Sequence, residues 1–492
     1  MYRSRSTEKL KDDVLKFLSS VDLDHSILYY DILGSEAHSI MLHEKGHITD
    51  VELKAILSAL EEAKKTPTTI NTEEYEDIHE ALEAFVIQRS GIEAGGKMHI
   101  ARSRNDQVVL DIRMKIRDDI NEICAALASL IRGLVERAKE NKQVPMLMYT
   151  HLQQAQIGTF SHFLLSYAYS LMRDMERLYL AYHRINQSPL GACAIGGSSI
   201  VIDRKRTAVL LGFDSIIKNS IDATSSRDAF LEYVSTLAIL TSTLGRIAED
   251  FIIWSTAEFG YIELAESYAS TSSAMPQKKN PDPLELTRSK AAIVTGNLVS
   301  MHGIVKALPS GYSRDLQDLK APLLGASTTT LDTIKIMDHI VKSLHVNKER
   351  MQQAARTSYA IAVDIAEQLV MQKKIPFRTA HKIVGALVSR AVGKGNVSLA
   401  KLEFDEASSV LESYKVNITP EELMKIIIEM TPEKSLEVRK SSGSPNLLEQ
   451  EEMIRSLSEG IANYSIGIQK RTKMVQGSFN TLDMTVKNYL SA

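Results

Sequence analysis

The run SRDAFLEYVSTLAILTSTLGRIAEDFIIWSTAE, Ser226 to Glu258, contains no proline and one glycine, Gly245. Phe230, Val234, Leu237, Leu240, Leu244, Ile247 and Phe251 recur along it at helical spacing. The run therefore reads as one helix about 48 Å long, opened by a capping box from Ser225 to Asp228. Tyr233, Ile239 and Ile252 place further apolar groups elsewhere on its surface. Apolarity this broad predicts burial against several helices, including helices of other subunits.

Comparable patterns flank it. A helix is expected over Val108–Glu140, and another from the polar knot at Tyr149–Gln156 to about Asn186. Two more run from Pro283 to about Ala307 and onward from Pro322. Nearer the start, Thr7–Ser20, a segment carrying Asp31–His38, and residues 50–64 and 73–90 read as shorter helices. The last 130 or so residues show short helical patterns, and 430–450, with Pro432, Gly443 and Pro445, reads as a loop. Strand signals are nearly absent. The expected class is all-α, a central long-helix bundle between smaller helical N- and C-terminal domains, divided as 1–108, 109–358 and 359–492.

Composition narrows the function. With 44% hydrophobic and 24% charged residues, the 492-residue chain reads as an ordinary soluble globular protein. A net charge of −3 leaves no basic surplus for nucleic acid, and no long apolar run suits a membrane. The expected partner is a small molecule. Cys124 and Cys193 are too few for a disulfide framework, and no Cys/His cluster has zinc-ligand spacing, so metal-free cytoplasmic chemistry is expected. Met1–Arg5 leads into charged residues rather than an apolar signal segment, and no Gly-rich nucleotide loop is present.

The chemistry concentrates in Ala269–Pro283, ASTSSAMPQKKNPDP. Four hydroxyl residues precede two lysines and an asparagine between prolines, where Asp282 is placed to cap a helix starting at Pro283 with Glu285 closing the box. A helix N-terminus beside Lys278 and Asn280 suits an anion. In that field Ser272 or Ser273 is easier to ionise, as a base or nucleophile requires. Composition alone also allows a solvated linker. Arg102, Ser103, Arg104, Asn105 and Gln107 gather forked donors for carboxylates after a Gly-Gly break, though a capped helix start with exposed charges reads equally well. His151 stands between Thr150 and Gln153, where acid–base work is plausible, while Ser20 and Asp24 suit either capping or ligand contact. Pro189–Gly197 is a small-residue loop that permits close approach.

Ser272–Pro281 resembles the signature loop of the fumarase/aspartase superfamily, usually G-S-S-x-M-P-x-K-x-N-P, with Thr271 in place of the usual Gly. Thr tolerates positive φ poorly, so a stiffer loop is expected. Arg102–Gln107, Tyr149–Gln153, Asn219–Ala223, and Tyr312 with Asp315–Gln317 and Lys320 are similar to the argininosuccinate lyase branch, in matching order over roughly residues 17–390. Leu319 replaces a usual acidic residue, and Gly443 stands alone where relatives carry Gly-Gly.

The resemblance implies reversible anti β-elimination of argininosuccinate to arginine and fumarate, a step of arginine biosynthesis, without a cofactor. It implies Ser272 as the base, with Lys278 and Asn280 stabilising the dianion formed on proton loss. His151, partnered by Glu285, would serve the leaving nitrogen as general acid. Thr150, Ser103 and Asn105 would grip the fumarate half. Tyr312, Gln317, Lys320, Ser20 and Asp24 would hold the remaining carboxylate and the amino-acid end, with Arg102 and Arg104 matching carboxylates. It also implies a homotetramer whose sites are shared between chains. The weighed alternatives are a sister lyase and a non-enzymatic relative of the lens crystallins.

Overall fold

The computed structural model describes residues 11–492. The helix expected over 7–20 therefore lies partly outside the described residues, and its described part is α1 (Asp12–Leu18). There follow α2 (Val21–Asp24), α3 (Leu28–Glu44), α4 (Asp50–Lys65), α5 (Ile78–Ser90) and α6 (Ile92–Gly95). Thr49 and Glu52 form a capping box on α4, and Asp77 caps α5, which fixes its start after the expected residue 73. These helices close over one core that includes Ile40, Leu57, Leu82 and Val86.

The central bundle is built from α7 (Arg104–Glu140), α8 (Phe160–Ile185), α11 (Asp228–Ser255), α12 (Asp282–Val305) and α13 (Lys320–Ser343); the short α9 (Arg204–Leu210) and α10 (Ser220–Ser225) precede α11. Arg113 on α7 bonds the carbonyls of Arg184 and Ile185, so α8 runs back along α7. Arg184–Glu232 and Tyr167–Asp250 make α11 antiparallel to α8, hence parallel to α7. Arg288–Glu249 reverses α12 against α11. Lys335–Glu122 and Lys342–Ser129 set α13 parallel to α7. All seven stripe residues of α11 are buried. The helix is shorter than the expected 226–258, and the Ser225–Asp228 capping box does not form: Ser225 ends α10, Ser226 donates to Asp222, and Arg227 stands at the N-cap with its guanidinium donating back to the Thr224 and Ser226 carbonyls rather than capping α11.

Strands are few, and one pair stands where a helix was expected. β1 (Pro145–Thr150) and β2 (Gln153–Thr159) form an antiparallel hairpin, so Tyr149–Gln156 does not open a helix; α8 starts at Phe160, capped by Thr159. Two-residue strands tie loops together. β3 (Gln187–Ser188) pairs with β4 (Ser215–Ile216), β5 (Ile262–Glu263) with β8 (His345–Val346), and β6 (Ser270–Thr271) with β7 (Lys279–Asn280).

Beyond α14 (Lys348–Thr357), helices α15 (Ala362–Lys373), α16 (Phe377–Gly393), α17 (Phe404–Tyr414) and α18 (Pro420–Glu429) share a small core of their own. The region 430–450 is not all loop, since Thr431 caps α19 (Pro432–Val438). The chain then forms α20 (Leu447–Ser491), 45 residues long, where only short helices were expected. Ile454, Leu457, Ile461 and Ile468 of α20 enter the bundle core, and Leu482 and Val486 enter the N-terminal core. We propose 1–108, 109–358 and 359–492 as the units of the chain, with α20 leaving the third to pack on the other two.

Candidate active site

The parallel course of α7, α11 and α13 sorts the expected site residues into two groups at opposite ends of the bundle. Roughly 40 Å of α11 separates those ends.

At the end where α7 and α13 begin, Ser20, Arg104, Tyr312, Gln317 and Lys320 line one cleft together with Asp77, His79, Arg227 and Leu316. Lys320 is buried and donates to Ser20 Oγ at 2.8 Å and to the buried Asp24 carboxylate. Ser20 Oγ in turn donates to Asp24 at 2.7 Å. Burial of this ion pair is sustained because each charge meets hydrogen-bond partners as well as the other. Gln317 Nε2 and Arg314 both donate to the Leu18 carbonyl, which binds the N-terminal segment to the turn before α13. Arg104 pairs with Asp77 at 3.2 Å. Arg102 is not in the cleft: it is buried, donates to Ser35 Oγ, and directs its charge at Asp31 and Asp111.

Ser103 is the N-cap of α7, accepting from Asn105 N while Asp106 accepts from Ser103 N, so the capped helix start does form. Asn105 Nδ2 donates to the Ala194 carbonyl of the small-residue loop. Burial pushes the Asp106 carboxyl up to about 6, against the amides of Ser103, Cys193 and Gly191 that favour its charge.

The other end carries the chemical group. His151 and Leu152 form the tip of the β1–β2 hairpin, both at φ 55°, the pattern of a type I′ turn, which Asn and Gly adopt far more readily. Such backbone persists where surrounding structure holds it. Here Tyr149 Oη meets Tyr261 Oη at 2.9 Å, within a cluster with Trp254 and Phe259. In the signature loop, Ser272 Oγ accepts from Ala274 N at 3.2 Å and Met275 N at 3.0 Å, whereas Ser273 is exposed. Lys279 is spent on Glu263 and the Leu264 carbonyl, leaving Lys278 as the exposed cation whose side chain pairs with none of the described residues. Thr271 lies in extended backbone in β6 and not at positive φ, so this position does not demand the conformation that Thr tolerates poorly. Asp282 does not cap: α12 begins at Asp282 itself, its carboxylate turned to Ser270 Oγ, and no box with Glu285 forms. Thr150, His151 and Glu285 are exposed and Asn280 is half-buried in β7. Among the described residues, the side chains of His151, Lys278 and Glu285 bond to none of the others.

Sequence reading missed Arg227, Asp77 and His79 as cleft residues. Arg227 is buried, which brings its guanidinium down to about 10, and its only signal was proximity to Asn219–Ala223. Asp31, His79 and Asp111 are the described residues whose ligand-type atoms lie close enough for a metal, within 4.8 Å. Burial raises both carboxyls, the Arg102 charge opposes that rise and Gln107 donates to Asp31, while both Asp111 carboxylate oxygens and both His79 ring nitrogens have no hydrogen-bond partner among the described residues.

Comparison with known proteins places the chain in a family. The family described as lyase matches residues 11–296, and that described as argininosuccinate lyase C-terminal matches 359–437. The argininosuccinate lyase of Nitrosopumilus maritimus is 48% identical, covering 98% of both chains. That of Methanocaldococcus jannaschii is 40% identical over 96% of both. A solved EDDS lyase in complex with formate superposes with a TM-score of 0.88 at 29% identity, covering 99% of this chain and 97% of that one. The class II fumarase of Schistosoma mansoni, at 16% identity and TM-score 0.70 over 83% and 90% of the chains, shares the fold. The chain belongs to the argininosuccinate lyase family, within the all-α fumarase/aspartase superfamily.

Proposed function

We propose that this chain catalyses the reversible anti β-elimination of argininosuccinate to L-arginine and fumarate in arginine biosynthesis, in the cytoplasm and without a cofactor. The observation that carries the substrate is the cleft around Lys320 and Asp24. It sets a cation and an anion side by side among Ser20, Tyr312, Gln317 and Arg104, as the ammonium and carboxylate of an amino acid require. Two unpaired cysteines and the absence, among the described residues, of a helix long and apolar enough to cross a membrane are compatible with that location.

In this reading Ser272 is the base. Two amide N–H groups already point at its Oγ, an arrangement that stabilises the alkoxide relative to the hydroxyl. Lys278, Asn280 and the start of α12 receive the charge that develops on the substrate carboxylate as the β-proton leaves. His151 then protonates the departing nitrogen, with Glu285 as its charged partner. Thr150, Ser103 and Asn105 hold the fumarate half.

A single chain keeps Ser103 and the Lys320 cleft an α11 length away from His151 and Ser272. A complete site therefore draws on neighbouring copies, in a homotetramer. Exposed apolar side chains on α12, Leu286, Ile293 and Val299, and Ile239 on α11 supply surface for that association. Fumarate absorbance on adding argininosuccinate tests the reaction, and no product would end the proposal. Co-refolding equal amounts of Ser272→Ala and His151→Asn tests the sharing: roughly a quarter of sites should recover both groups if they come from different chains. Recovery no greater than either variant alone, in hybrids shown to have formed, would place both groups on one chain.

A further inference from the structure

The loop Pro189–Gly197 crosses the start of α7, and its peptide groups are gripped from two sides by opposite charges. Arg204 donates through Nε to the Leu190 carbonyl at 2.8 Å and through a terminal nitrogen to the Pro189 carbonyl at 3.1 Å. The fully buried Asp106 accepts from Gly191 N at 2.9 Å and Cys193 N at 2.8 Å with one oxygen, and from Ser103 N at 3.1 Å with the other. One carboxylate thus joins two chain segments some 85 residues apart. The loop it holds is costly backbone. Gly191 sits at φ 84°, where an added Cβ would lie 2.7 Å from Arg204 Cγ, and Cys193, a side-chain-bearing residue, sits at φ 57°. With 191–193 so fixed, the Ala194 carbonyl meets Asn105 Nδ2 at 2.9 Å and sets the plane of that amide.

We propose that Asp106 is a positioning residue for substrate binding: it aligns the Ser103–Asn105 turn and the Gly191–Ala194 loop as one rigid polar wall that orients Asn105 and Ser103 toward the dicarboxylate half of the substrate. Only an ionised carboxylate fits the role, because both of its oxygens face backbone N–H donors. An asparagine would turn its own NH₂ against one set of them, leaving buried amides opposed or unpaired. Substrate and transition state share the gripped carboxylate, so loosening the wall weakens both alike and acts on KM more than on kcat.

The inference rests on the reaction proposed above, and its test separates the two. Steady-state kinetics with argininosuccinate are measured for wild type, Asp106→Asn, Asn105→Ala and the double variant. Asp106→Asn should raise KM about tenfold or more while kcat changes less than about threefold. Asn105→Ala should add little in the Asp106→Asn background, because the amide it removes is already misaligned. Arg204→Lys, which loosens the same loop from its other side, supplies a second variant and should raise KM by a smaller factor. A fall in kcat at unchanged KM, the mark of a reduced folded fraction, or full additivity in the cycle, would overturn the assignment. So would an unchanged KM in both Asp106→Asn and Arg204→Lys. Wild-type protein that cleaves no argininosuccinate would instead remove the reaction, and the positioning role with it.

Discussion

The two ends of the bundle treat their polar groups in opposite ways. Around Lys320 the chain satisfies itself: Asp24, Ser20 and Lys320 bond one another in a buried cluster, and Gln317 and Arg314 fasten the N-terminal segment over them. Around Ser272 and His151 the chain leaves its chemistry on the surface, at a hairpin tip in left-handed backbone and in a loop where the exposed side chain of Lys278 bonds none of the described residues. A buried, paired end suits recognition, because its geometry is set before the ligand arrives. An exposed, unpaired end suits groups whose partners arrive with the ligand or, in the assembly proposed above, with another copy of the chain.

The largest effect that bears on this contrast is expected from Ser272→Ala. Turnover should fall roughly a thousandfold or more with little change in KM, as when a proton acceptor is lost and ground-state contacts remain. Comparable loss from Ser273→Ala, with Ser272→Ala active, would move the base by one residue. Next comes a pair of lysine replacements read by chemical denaturation. Lys320→Met strands the Asp24 carboxylate in the interior and should cost about 3–5 kcal/mol of stability. Lys278→Met should change stability by less than about 0.5 kcal/mol while still slowing turnover. Equal destabilisation by both would erase the distinction between the ends. His151→Asn should slow C–N cleavage roughly a hundredfold but β-proton exchange less, and equal losses in both steps would speak against an acid role.

The smallest effect concerns acid. His38, fully buried beside Arg102 and bonded through Nε2 to the Ile100 carbonyl, is brought down to about 3, chiefly by burial. The folded state therefore resists a proton that the unfolded chain takes up near pH 6.5. Stability from this group is whole above pH 6.5 and is lost as pH falls toward 3, by about 2 kcal/mol between pH 8 and pH 5. His38→Gln should flatten that part of the profile in urea titrations, and an unchanged slope would clear His38 of the effect.

Much of the bundle was legible because its signal is local and periodic. The stripe from Phe230 to Phe251 names the buried face of α11 directly. The β1–β2 hairpin was not legible, since its pairing joins residues that carry no Asn-Gly turn signal, and His151-Leu152 occupies the tip instead. The length of α20 was hidden by Gly460, Gly467 and Gly477, which weaken a helix in isolation. Two of them are contact sites: a Cβ at Gly460 would lie 2.8 Å from Met172 Cε and at Gly467 2.9 Å from Tyr179 Oη, so glycine there lets α20 press against α8. Within the site, the motif residues were legible as a set, but their sorting between two ends was not, because it depends on which helices run parallel. Arg227 and Asp106 escaped for a related reason. Their partners lie in the folded chain, and a cap position or a motif interior looks the same whether or not a charge is being used.

The course of α20 has a consequence for how the molecule is made. Leu482 and Val486 finish a core whose other members lie mostly between Ile27 and Met114 and near Leu210. The N-terminal helices therefore emerge from the ribosome with one apolar flank open, and it stays open while more than three hundred further residues are synthesised. Closing that flank joins residues far apart in sequence, a loop-entropy cost that is offset only by the contacts of the distal turns of α20. A chain cut before residue 482 should expose that flank and lose stability in the N-terminal helices, which limited proteolysis of a truncated protein would read.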